Sequence, residues 1–120
     1  MTQEEKQLLL KDICARLPYG IIYHRNDGAN IKLKEIDINR GYLNYTDDIE
    51  KMECKPYLRP LSSMTDEEEN EYNSLNAYEG GVFPHTEEAL DWLNENHFDH
   101  RGLIPMGLAL EAPEEMYKAE

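Results

Sequence analysis

Gly20-Ile-Ile-Tyr-His-Arg-Asn-Asp-Gly-Ala-Asn-Ile-Lys-Leu-Lys-Glu-Ile-Asp-Ile-Asn-Arg-Gly-Tyr-Leu-Asn-Tyr45 is where helical spacing gives way to alternation. Ile21-Ile22-Tyr23 reads as a strand, and Asn26-Asp27-Gly28 supplies residues that tolerate positive φ, a hairpin signal. The next strand alternates Ile31 with Leu33 and then Ile36 with Ile38. The two pairs are out of phase, so a bulge near Lys34-Glu35 is needed to keep one face buried. Asn39-Arg40-Gly41 is a second turn and Tyr42 to Tyr45 a third short strand. Three sequential strands joined by short turns predict an antiparallel meander.

Helices are expected on either side. Thr2-Gln-Glu-Glu5 has capping-box spacing, and Leu9, Ile13 and Leu17 follow four residues apart with Leu10 and Cys14 beside them. Pro18 ends that helix. Thr46-Asp47-Asp48 fits either a cap on one helical turn or continued strand pairing. Lys55 to Pro60, with prolines four apart, reads as an extended crossing segment. Thr65-Asp-Glu-Glu68 repeats the capping box, and its helix is expected to run to Leu75 or Tyr78 on the surface. Thr86-Glu-Glu opens a helix carrying Ala89, Leu90, Trp92 and Leu93, with Trp92 as core. The run from Gly102 to Leu110 is apolar but interrupted, and fits a short helix or a closing strand. The expected fold class is α+β: one domain over residues 1–120, a small antiparallel meander packed against two or three helices. Residues 114–120 are a candidate disordered tail.

Charge divides the chain. Residues 1–40 hold six acids and seven bases, residues 41–120 nineteen acids and five bases, and the formal net charge is −13. Such a surface repels nucleic-acid phosphates and anionic membranes and attracts basic partners. No apolar run approaches the roughly 18 residues of a membrane span. The polar N-terminus lacks the regions of a signal peptide, and two cysteines make no disulfide framework, so a reduced, cytoplasmic protein is expected. Eight tyrosines suit a thin core or a contact surface.

Catalytic signatures are sparse. Ser62-Ser63 is in no nucleophile elbow, Cys14 is read as packing, and Cys54 lacks an activating base. No cofactor and no metal are expected. The spacing closest to a ligand set is His97-Phe-Asp-His100 with His85 upstream, so His85, His97, His100 and Asp99 are the metal candidates. No cysteine or HExxH pattern joins them, and histidines at a helix end also serve the dipole. Arg59 and Arg101 are read as ion-pair partners that fix turns. The acidic run Asp66, Glu67, Glu68, Glu69 and Glu71, with Tyr72, supplies the partner-binding candidates.

Three groups of residues go further. They are Glu4 to Leu10 with Cys14-Ala-Arg-Leu-Pro-Tyr-Gly20, Lys55-Pro-Tyr-Leu-Arg-Pro-Leu-Ser-Ser-Met-Thr65, and Asp91-Trp-Leu-Asn94 with His97 to Ile104 and Gly107 to Pro113. Together they resemble a group of small uncharacterised proteins carried by phages and mobile elements of gut anaerobic bacteria. The likeness covers about half the chain and leaves residues 22–53 aside. It implies a cytoplasmic accessory protein of a mobile element and transfers no catalytic residue. The leading expectation is a non-enzymatic acidic module that binds a host or phage protein with a basic surface, as a monomer or small homo-oligomer, without direct nucleic-acid or membrane binding. The alternatives are a DNA-mimic inhibitor of a host nucleic-acid-binding or defence protein, and a small metal-dependent hydrolase using His85, His97 and His100.

Overall fold

The computed structural model describes residues 1–76, 84 and 86–117. The fold is α+β. Helix α1 (Gln3–Arg16) begins in the expected capping box: Thr2 Oγ1 accepts from Glu5 N at 3.0 Å, and Glu5 Oε1 accepts from Thr2 N at 2.8 Å. It buries Leu9, Leu10 and Ile13. Cys14, read as packing, instead lies on the exposed side. A 3-10 turn over Leu17–Tyr19 follows Arg16, and Gly20 at φ +75° redirects the chain into the sheet.

The alternating stretch divides between two sheets. β1 (Ile22–His24) and β2 (Asn30–Lys32) form the expected hairpin, with Tyr23 opposite Ile31. Pairing ends one bond later, with Leu33 N donating to Ile21 O at 2.8 Å, and β3 (Ile36–Asp37) joins β4 (Tyr42–Leu43) and β5 (Asp47–Asp48) in a separate three-stranded antiparallel meander. The phase conflict at Lys34-Glu35 is thus resolved by a break rather than a bulge. Asn44 makes the break possible: its Oδ1 accepts from Lys34 N (2.7 Å) and Glu35 N (3.1 Å), and its Nδ2 donates to Lys32 O (3.0 Å). One side chain satisfies the backbone groups that leave a ladder there. Tyr23 Oη donates to Asp47 Oδ2 at 2.5 Å and ties the two sheets together inside the core.

The extended segment is itself a strand. β6 (Lys55–Leu58) is central in the first sheet, whose order is β2-β1-β6-β7, and β7 (Leu110–Glu111) runs parallel to it. Pro56 sits inside β6 opposite Tyr23. Its missing N–H faces the β7 side, where pairing begins only at Tyr57 with Leu110, so no ladder bond is lost. The apolar run before β7 therefore ends in a closing strand, at Leu110–Glu111.

Helix α2 (Asp66–Asn76) has the second capping box: Thr65 Oγ1 accepts from Glu68 N at 3.1 Å and Glu68 Oε1 from Thr65 N at 3.0 Å. Helix α3 (Glu87–Glu95) starts at Thr86, whose Oγ1 accepts from Ala89 N and donates to Leu75 O, pinning α3 to α2. The main core lies between α1 and the sheets. A second cluster of Tyr72, Ala89, Trp92, Leu93 and Phe98 fills the space between α2, α3 and the end of β6.

Candidate binding cleft

The site is built where the central ladder splits. β6 pairs with β1 through Pro56, and from Arg59 the segment after α3 takes over: Arg59 N donates to His97 O (2.7 Å) and Asp99 N to Arg59 O (2.8 Å). At Tyr57, between these pairings, the hydroxyl of Tyr117 fills the gap. It accepts from Ile22 N at 3.0 Å and donates to Tyr57 O at 2.8 Å, bridging the two strands in place of a direct bond. The Tyr117 ring lies 4.0 Å from the His97 ring, centroid to centroid. In the candidate tail Tyr117 makes these contacts, and residues 118–120 lie outside the described residues.

The returning chain leaves a cleft of about 620 Å³. One wall is the start of α2, with Thr65, Glu67 and Glu68. The other is the segment from Glu111 to Glu114, and Arg59, Pro60, Ser63, Asn96 and Tyr117 complete the lining. The single arginine in it is spent. Its Nη1 and Nη2 donate to Glu68 Oε2 and Oε1 at 2.8 and 2.7 Å, and its guanidinium lies 4.1 Å from the centre of the Phe98 ring. The Arg59 contact, ahead of the Thr65 cap, holds the Glu68 carboxyl below its ordinary range. Glu67 and Glu111 remain exposed on opposite walls, so the cleft is net negative. It can seat an ammonium or guanidinium group between carboxylates while the aliphatic stem lies on Tyr117 and the prolines.

The partner-binding candidates divide. Asp66, Glu67, Glu69 and Glu71 are exposed on α2, as expected of a solvated acidic face. Glu68 is turned inward to Arg59. Tyr72 is no surface anchor: it is buried, with its ring 5.5 Å from that of Trp92. Leu75 of the same helix packs against this cluster beside it, so two residues seat α2 on α3.

Of the metal candidates, His97, Asp99 and His100 each hold a separate partner. His97 Nε2 donates to Tyr19 O (3.1 Å), both Asp99 oxygens accept from Leu103 N and Ile104 N, and His100 Nε2 donates to Asn94 Oδ1 (2.8 Å). His85 lies outside the described residues. Among the described residues no three His, Cys, Asp or Glu side chains converge as a metal site would require. Burial, helped by Arg16, pushes the His97 imidazole down to about 4, and burial with Arg101 does the same for His100. Neutral His97, with its proton on Nε2, turns a bare Nδ1 into the interior without a partner among the described residues.

Cys14 is free and exposed, whereas Ser63 and Cys54 are held within the fold. Ser63 Oγ donates to Pro60 O at 2.7 Å, and burial, followed by Asp47, pushes the Cys54 thiol up to about 12. Asp12 and Arg16, four apart on the apolar stripe of α1, form a fully buried ion pair. Arg101 Nη1 donates to Asp12 at 2.6 Å and Arg16 Nη2 to Phe98 O at 2.6 Å. That network locks the loop after α3 to α1, which holds His97 and the cleft floor in place. Its sequence signal was the pair of charges on the same stripe as Leu9 and Ile13. Tyr117 and Glu111 carried no such signal.

No protein-family model, no curated protein and no solved structure matches this chain. No helix among the described residues is long and apolar enough to cross a membrane.

Proposed function

We propose that this chain is a non-enzymatic binding module whose cleft, between α2 and the segment following β7, receives a basic segment of a host or phage protein. The observation that carries this reading is the cleft's charge: its one arginine is neutralised by Glu68, while Glu67 and Glu111 face solvent on opposite walls. A net charge of −13 adds long-range attraction for a basic partner and repels nucleic acid. The resemblance to proteins of phages and mobile elements supports an accessory role in the cytoplasm of a bacterial host.

The other readings draw less from the structure. The exposed acids of α2 occupy an 11-residue helix, about 16 Å long. That is short against the roughly 34 Å of one DNA turn that a mimic would imitate. The hydrolase reading loses support because His97, Asp99 and His100 are engaged in separate bonds and none of them lines the cleft.

Affinity purification from the bacterial host tests the proposal, using the wild-type chain beside a Glu67→Lys/Glu111→Lys variant. The expected result is a basic protein retained by the wild type and lost from the variant. Identical recovery by both chains would refute the cleft as the binding site.

A further inference from the structure

The segment that walls the cleft on one side is also an edge of the central sheet. β7 is the terminal strand in the order β2-β1-β6-β7. In its parallel ladder Leu58 lies opposite Glu111, and Ala112 N donates to Leu58 O at 2.8 Å. Bonds in such a ladder alternate between the two sides of a strand. Leu110 and Ala112 therefore direct their backbone groups at β6, and Glu111 directs its N–H and C=O away from it. No described residue takes either group, and Glu111, Ala112 and Pro113 line the cleft. An unpaired donor and acceptor side by side on a sheet edge are a template for another strand.

We infer that the basic segment binds in extended form, adding a strand to β7 with a Lys or Arg opposite Glu111. This rests on the cleft reading above and specifies how the partner is held. With the added strand antiparallel to β7, a residue directly opposite Glu111 exchanges two main-chain bonds with it and carries its side chain on the same face as the Glu111 carboxylate. Side chains alternate along a strand, so basic residues two positions apart share that face. Pro113 has no N–H and closes the edge after Ala112, so the pairing is short. Affinity then comes from few main-chain bonds combined with the Glu111 carboxylate. A helical partner of equal charge would leave the Glu111 backbone groups unpaired.

The test uses the full chain and a synthetic heptapeptide, Val-Lys-Val-Lys-Val-Lys-Val, blocked at both ends. A second copy of the peptide is N-methylated at its three lysines, which removes donors and keeps charge. Binding is measured by calorimetry, and hydrogen exchange is followed at the Glu111 amide. The expected result is protection of that amide by the unmodified peptide and about tenfold weaker binding of the methylated one, the equivalent of one to two lost hydrogen bonds. Equal binding of both peptides with unchanged exchange at Glu111 would overturn strand addition and leave the cleft reading intact. Absence of binding at millimolar peptide would also overturn strand addition, while the cleft reading stands or falls on the host purification.

Discussion

Tyr117 shows how much a single hydroxyl can settle. Its ring covers His97, and its oxygen replaces one bond in a ladder that has already begun to split. Tyr117→Phe keeps the ring and leaves Ile22 N–H and Tyr57 C=O facing each other across a gap. Urea denaturation should show a loss of about 1–3 kcal/mol, the usual penalty for stranding buried polar groups. An unchanged midpoint would mean that the two strands close directly. Nothing in the sequence marks this residue, because it follows Glu114-Glu115-Met116 in a stretch without periodicity. Tyr72 was misleading for a related reason: on a helix of acids it reads as exposed, and its partner Trp92 comes twenty positions later.

Elements announced by local chemistry were legible. The threonines at positions 2, 65 and 86 each start a helix where the capping signal places it, and Asn26-Asp27-Gly28 closes the first hairpin. Elements that depend on a distant side chain were not. The break after Leu33 is made by Asn44, ten residues beyond Lys34, and the phase conflict reveals that something happens there without saying what. β6 was hidden by Pro56, which is tolerated only because of which neighbour begins where. Asn44→Ala should separate the two sheets and lower stability by about 2 kcal/mol, since three partly solvated bonds disappear. Asn44 also holds φ +50°, which alanine adopts poorly. Asn44→Gly relieves that strain and isolates the side-chain bonds. If the alanine and glycine variants both melt like the wild type, the brace has no role.

At the scale of the whole molecule, acid should unfold the protein earlier than its carboxylates alone require. In the unfolded chain His97 and His100 titrate near 6.5, and in the folded protein both are held down to about 4. Above pH 6.5 both states are neutral and stability is full. As pH falls from 6.5 to 4 the unfolded chain takes up protons that the folded chain refuses, so stability declines through that window. Buried His97 alone accounts for up to about 3 kcal/mol, and His100 adds in the same direction. A stability profile flat between pH 6.5 and 4.5 would show that the two imidazoles charge freely in the folded state.

Net charge at this scale was legible from composition, and the cleft that focuses it was not, because its walls lie more than forty residues apart in the chain. The direct measurement is an amide shift map recorded by NMR while a lysine-rich peptide is added to the intact protein. The account predicts perturbed amides confined to residues 59–68 and 111–117, fading as salt rises from 50 to 200 mM on the order expected of screened charge pairs. Shifts scattered evenly over the acidic surface, with no focus on Glu67 and Glu111, would contradict it.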